Sequence, residues 1–336
     1  MNAMSLADRG VSNLHDTNRT PLLRRMYYRM KPMIPWAVRM ELRRAHARRL
    51  LRRFAASWPI DTAAGHTPAG WPGWPQGKQF ALVLTHDVEG PRGLEQCARL
   101  AELEIRMGFR SSFNFVPEGV YTTPDALRAS LEEQGFEIGV HDLHHDGSLY
   151  RSRASFRFQA RRINHYLAAW GAVGFRSGFM FHNLHWLKEL DITYDTSTFD
   201  TDPFEPQPDG VRTIFPFWVT RADGSGYVEL PYTLPQDGTL FLLLRHTNIA
   251  VWKRKLDWLA ARGGLALVNV HPDYLAFDNR PSACTYPVAL YEAFLEHVAS
   301  RYGNRCWHTQ ARDVATYVAT RRSRRAAAAL AVEAAG

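Results

Sequence analysis

Beyond residue 79 the chain settles into short apolar runs that alternate with stretches whose apolar positions recur every three or four residues. Residues 80–85 form an apolar run and predict a strand. After Pro91, Leu94, Cys97, Ala98, Ala101 and Ile105 keep the spacing of one helix face, and Gly108 closes that helix. Phe113 and Phe115 alternate in a predicted strand over 111–116, and 124–134 reads as a helix stopped by Gly135. Phe136, Ile138 and Val140 alternate in a strand over 136–140. A helix over 152–170, closed by Gly171, precedes a strand at 173–176, a short helix near 184–190 and a strand at 192–195. Asn248 caps a helix to about residue 262, and 265–270 is an apolar strand. A helix over 287–301, a short strand near 305–307 and a helix capped by Thr309 complete the series. Residues 200–247 break the rhythm. They are rich in Pro, Gly, Asp and aromatics, carry β-like pieces at 211–215 and 227–230, and read as an insertion or long loops. Strand–helix alternation through most of the body predicts a parallel α/β fold, most simply a barrel.

Ahead of that rhythm the pattern differs. Leu23, Met26, Tyr27 and Met30 keep helical spacing among Arg24, Arg25, Arg29 and Lys31, until Pro32 and Pro35 break the helix. A second basic helix places Ala47, Leu50, Leu51 and Phe54 among Arg43, Arg44, Arg48, Arg49, Arg52 and Arg53. Residues 57–77 are rich in Pro and Gly and read as a linker. The predicted organisation is a basic amphipathic arm (1–56), that linker (57–77), a barrel domain (78–320) and a flexible alanine-rich tail (321–336).

The net charge of +8 belongs to the ends: residues 1–55 hold 13 Lys/Arg against 3 Asp/Glu, the tail is at +3, and residues 56–320 are at −5. An acidic body excludes a nucleic-acid-binding domain, which needs a basic face to meet phosphate. The arm, over residues 20–54, suits an anionic membrane surface. The alternative is that its apolar stripes pack on the main domain and its arginines are solvated. Three scattered cysteines, Cys97, Cys284 and Cys306, argue against a disulfide framework and for a reducing compartment. No secretory leader pattern and no apolar run of membrane-spanning length stands in the sequence. The expected location is the cytoplasm, peripheral to the inner face of the cell membrane.

In a β/α barrel, chemistry gathers where strands end. Here the first strand ends in Thr85-His86-Asp87-Val88-Glu89, the third in His141-Asp142-Leu143-His144-His145, the fourth in Arg176, the next in Asp195, and the late apolar strand in His271-Pro272-Asp273. His141 and His145 stand four apart, the separation that puts two imidazoles on one face of a helical turn. With a carboxylate they form a donor set for a divalent metal, most simply Zn2+, which takes nitrogen and oxygen ligands and lowers the pKa of water. The plain alternative is a polar loop with chance histidines. His144 reads as a neighbour of the ligands and His86 as a packing residue. Trp186, Phe217, Trp218 and Tyr232 could serve either as a sugar-stacking floor or as core.

These strand ends resemble the motifs of the polysaccharide deacetylase family, the NodB-homology carbohydrate esterases, over roughly residues 78–320. That family folds as a distorted (β/α) barrel. The resemblance implies Asp87 as base, His141 and His145 as metal ligands from the H-[ST]-x-x-H motif, Arg176 and the Phe179 backbone N–H from R-x-P-[YF], and His271 as the proton donor after the late strand. Departures accompany it. Val88 stands where the family has its metal-binding aspartate, so the third ligand is expected to be Glu89, the alternative being Asp87 itself. Asp142 replaces Ser or Thr, Gly178 replaces the proline, and the acidic fourth motif has no clear match, Asp195 lying in a suitable region. On this resemblance Arg176 would orient Asp87 and His271 would protonate the leaving amine.

The expected activity is metal-dependent removal of an N-acetyl group from an amino sugar, on a lipid-linked or nucleotide-linked glycan precursor of a surface polysaccharide. Hydrolysis of another C–N bond or of an O-acetyl ester is the enzymatic alternative. A degenerate barrel that binds glycans is the non-enzymatic one.

Overall fold

A computed structural model describes residues 36–278 and 280–335. The first predicted basic helix, over residues 23–30, lies outside them. The second falls within α1 (Trp36–Arg53), which spans the junction of two compact units, Met1–Arg49 and Leu50–Gly336. In the first unit Glu41 accepts an ion-pair hydrogen bond from Arg44 at 2.6 Å, the i, i+3 reach of a helix. In the second, Leu51 and Phe54 pack against the main apolar core while Arg52 and Arg53 are exposed.

The second unit is built on β1 (Phe80–Val88), which is buried along its whole length. Its alternate residues divide between two cores. Phe80, Leu82, Leu84 and Val88 join the layer under the helices, while Ala81 and Val83 face the barrel interior. The period of two therefore turns Thr85 and Asp87 inward as well. On one edge β1 pairs in parallel with β8 (Leu265–Asn269). On the other it pairs first with β9 (Cys306–His308) and then with β2 (Ser112–Phe115). The parallel order continues through β3 (Glu137–His141), β4 (Gly174–Arg176), β5 (Tyr194–Asp195) and β7 (Gly226–Glu229), with β6 (Phe217–Thr220) antiparallel to β7. Past β7, Tyr232 N–H donates to Thr198 O at 2.9 Å and Thr233 N–H to Leu267 O at 3.1 Å, which carries the curl round to β8. The architecture is a distorted (β/α) barrel.

Helices α2 (Pro91–Arg106), α3 (Asp125–Glu133), α4 (Arg153–Trp170), α5 (Leu184–Leu187), α6 (Ala250–Arg262), α7 (Ala289–Tyr302) and α8 (Ala311–Ala335) follow the predicted order. Their ends have local causes. Ser152 accepts from Ser155 N–H at 3.1 Å to start α4, and Gly171, at φ 62°, ends it in the left-handed conformation that glycine adopts without strain.

Three expectations are corrected. The β piece at 211–215 is not a strand; the strand is β6, two residues on, where pairing with β7 satisfies its backbone. The breaker-rich segment 57–77 is packed along the barrel: Trp74 donates to Gly263 O at 2.8 Å, and Gly73 O accepts from Tyr317 at 2.7 Å. Fully buried Lys255 donates to Pro59 O and, at 2.5 Å, to Asp200. Breakers stop regular structure, but the tryptophans of this segment bring enough apolar area to bury it. The alanine-rich end, read as a flexible tail, is helical as far as Ala335, in keeping with alanine's helix propensity. Among the described residues no helix is long and apolar enough to cross a membrane.

Candidate functional site

Asp87 is the hub of the strand ends. Its Oδ1 accepts from Asn114 Nδ2 of β2 at 2.9 Å and from Arg176 Nη1 of β4 at 3.1 Å. Its Oδ2 accepts from Asn269 Nδ2 of β8 at 2.7 Å. Arg176, itself fully buried, is held by Thr196 through Nε and by Thr85 Oγ1 at 2.9 Å. Burial alone would raise the Asp87 pKa, but the Arg176, His141 and His271 charges and the Asn114 bond outweigh it and hold the carboxyl well below the usual range.

Two residues further along β1's direction, Glu89 returns to the interior while Val88 stays in the helix-side core. The sequence D-x-E thus places both carboxylates on one face. Glu89 Oε1 lies 3.2 Å from His145 Nε2 and 3.6 Å from His271 Nε2. Ligand atoms of Glu89, His141 and His145 all fall within 4.8 Å of one another.

The histidines reach this point by a route other than the expected helical turn. His141 ends β3, and Asp142 and His145 then take positive φ (57° and 54°), folding the loop back so that the imidazole centroids are 4.8 Å apart. Aspartate tolerates this conformation because its carboxylate can bond nearby backbone, as Asp142 Oδ1 does with Leu143 N–H at 2.7 Å. His141 Nδ1 lies 3.1 Å from Arg176 O. A carbonyl only accepts, so Nδ1 carries the proton and Nε2 is left with its lone pair toward the site.

Both Nε2 atoms are buried and without a hydrogen-bond partner, the approach of His145 to Glu89 lacking hydrogen-bond geometry. Two orphaned imidazole nitrogens and a carboxylate at such spacing fit a divalent metal of the zinc type. Burial lowers the His141 pKa, which favours the neutral, ligating form. Burial also acts to lower that of His145, but Glu89 reverses the direction.

On the other side His271 is held twice by one carboxylate: Nδ1 lies 2.7 Å from Asp237 Oδ1, and the backbone N–H donates to Oδ2 at 2.9 Å. Tyr286 donates to the same Oδ2 at 2.9 Å. Burial would lower the imidazole's pKa, but Asp237 and Glu89 overcome it and push the value up to about 10, so the ring is a cation at neutrality.

All seven residues named from the sequence meet at this rim. Phe179 stacks its ring on His145 at 4.6 Å and has a φ of 58°, in a half-exposed turn. Asp237, Asn114, Asn269 and Tyr274 escaped the sequence reading. The asparagines had a signal, Asn114 standing between Phe113 and Phe115 and Asn269 between Val268 and Val270, each a polar residue between apolar neighbours that must find partners when buried. Asp237 had none, standing in a breaker-rich stretch. Asp195, considered for the acidic motif, has its carboxylate bonded to Ser197.

His144 contacts Glu118 O at 3.1 Å and not the ligand cluster. His86 is buried between Val270 O and Glu104, each at 2.8 Å. Tyr232 is core, 1% exposed.

No protein-family model and no curated protein matches the sequence. Solved structures do match. A Mycobacterium smegmatis protein described as a polysaccharide deacetylase aligns at a TM-score of 0.58 and 20% identity, over 76% of this chain and 96% of the other. A family 4 carbohydrate esterase from Streptomyces lividans aligns at 0.39 and 11%, over 68% and 92%. Peptidoglycan deacetylase PdaC from Bacillus subtilis aligns at 0.40 and 9%, over 75% and 96%. The fold is that of a polysaccharide deacetylase.

Proposed function

We propose that this protein is a metal-dependent deacetylase that removes the N-acetyl group of an amino sugar. The observation that carries the reading is the convergence of Glu89, His141 and His145 within 4.8 Å, with Asp87 and His271 flanking them. A divalent ion on those three donors, Zn2+ by their chemistry, would polarise the scissile carbonyl and make water a nucleophile near neutrality. Asp87 takes the proton of the attacking water on Oδ2, the oxygen that faces His141 Nε2 at 3.9 Å. Arg176 keeps that carboxylate ionised and aimed between its strands. The Phe179 N–H donates to the developing oxyanion. His271, a cation whose Nδ1–H is fixed by Asp237, delivers the Nε2 proton to the leaving nitrogen. Glu89 is the third ligand in this reading and Asp87 the base, since the donor atoms that cluster within 4.8 Å of one another are those of Glu89, His141 and His145, while Asp87 flanks them. The likeness in fold to the Mycobacterium smegmatis protein supports a carbohydrate substrate.

The proposal extends to place. The substrate is an N-acetylated precursor of a surface polysaccharide or glycolipid, lipid-linked or nucleotide-linked, met in the cytoplasm at the inner face of the membrane. The basic arm, with 13 Lys/Arg in residues 1–55, brings the enzyme there. Acetate release from acetylated amino sugars, before and after chelation, tests the chemistry. Liposome flotation of the full chain against a 1–56 deletion tests the arm, and equal flotation would return it to plain packing.

A further inference from the structure

The segment after β8 does more than carry His271. Tyr274 Oη donates to Glu89 Oε2 at 2.8 Å. Asp273 accepts from Glu89 N–H at Oδ2 (2.9 Å) and from Gly93 N–H at Oδ1 (3.1 Å). Arg92 closes the same turn from outside, donating to Asp273 O at 3.1 Å and Leu275 O at 3.0 Å. The approach is too close for any other residue at position 93, where a Cβ would lie 2.1 Å from Asp273 Oδ2. Tyr274 in turn packs on the His271 ring, with centroids 4.7 Å apart.

Glu89 is thereby fixed at both ends. Its backbone is tied to Asp273, and one carboxylate oxygen is committed to the phenol. Only Oε1 is left to face His145 Nε2, at 3.2 Å. A free glutamate can turn through several rotamers and offer either oxygen or both, so a donor on one oxygen removes that choice before a metal arrives. We propose that Asp273 and Tyr274 are positioning residues that make Glu89 a preorganised, one-oxygen metal ligand. The proposal rests on the reading of Glu89 as the third ligand. It also accounts for how Glu89 can serve in place of an aspartate one residue earlier, where Val88 stands: its longer side chain needs an external hold, and the 273–274 turn supplies it.

The test is the zinc affinity of the full chain, stripped by chelation and titrated with Zn2+ against a chromophoric chelator. Outer partners of metal ligands typically contribute about 10–100-fold in affinity. Tyr274→Phe, which keeps the ring, is expected to weaken zinc binding by that order while leaving the metal-free melting temperature unchanged. Asp273→Asn, of equal size, should move affinity in the same direction by an independent route. Glu89→Gln should lose far more. Wild-type affinity in both Tyr274→Phe and Asp273→Asn, with binding lost in Glu89→Gln, would overturn the positioning role and leave the ligand assignment standing. Wild-type affinity in Glu89→Gln would overturn both.

Discussion

Asp142 Oδ2 accepts a hydrogen bond from the Gly178 N–H at 3.2 Å, and a Cβ on residue 178 would lie 2.6 Å from that same oxygen. The two positions at which this chain departs from the family's second and third motifs are therefore in contact. A proline at 178 has no N–H to give, and an aspartate at 142 leaves no room for its ring. Together they tie the histidine loop to the turn that carries Phe179.

Gly178→Ala is predicted to destabilise the fold by about 1–3 kcal/mol through overpacking. Asp142→Ala in the same chain should return part of that loss, because the obstructing carboxylate is gone. Denaturant midpoints of the two single variants and the double check this. Strict additivity would show that the positions are independent.

Asp237 is predicted to be needed for turnover and not for metal. In Asp237→Asn the largest of the charges that offset burial at His271 is removed, so the imidazole loses its proton at lower pH. The alkaline limb of the rate should move down, with a fall in kcat of roughly 100-fold or more at neutral pH. Zinc content should stay as in the wild type. An unchanged pH–rate profile would remove the His271–Asp237 pair from the proton step.

Stability should carry a pH signature from a buried carboxyl of β7. Glu229 accepts from Thr198 N–H at 3.2 Å and Thr198 Oγ1 at 2.6 Å, while its Oε2 is buried without a partner. Burial, then the nearby Asp195 charge, raises its pKa well above the usual 4.5. A raised carboxyl pKa contributes stability that is complete below the unfolded value and is lost as pH climbs toward the folded one. Glu229→Gln keeps the acceptor and removes the titration. Its melting temperature should exceed the wild type's at pH 8, with the advantage shrinking toward pH 4. A constant offset across that range would count against a protonated Glu229.

Strand ends carried most of what was legible. The alternation of β1 put Asp87 and Glu89 on one face, and single residues at the ends of β4 and β8 supplied Arg176 and His271. What stayed hidden depends on contacts between distant segments. Asp237 is 34 positions from its histidine and caps a short π-helix, Gly238–Leu243, in a stretch that read as loops. Tyr274 has meaning only because its turn lies against Glu89. The spacing of His141 and His145 suggested a helical turn, since sequence separation alone does not distinguish that turn from a loop with two left-handed residues. The packing of 57–77 was masked for the opposite reason: its Pro and Gly content speaks about backbone, and its tryptophans decide where it lies.

Acetate release from an N-acetylated amino-sugar oligomer tests the central claim most directly. The rate is predicted to vanish on chelation, return with one equivalent of Zn2+, and stay absent in Glu89→Gln and His141→Ala. Asp87→Asn should bind zinc and still fail to turn over. Undiminished release after chelation, or wild-type rates in Glu89→Gln and His141→Ala, would contradict a metal-dependent deacetylase built on these residues.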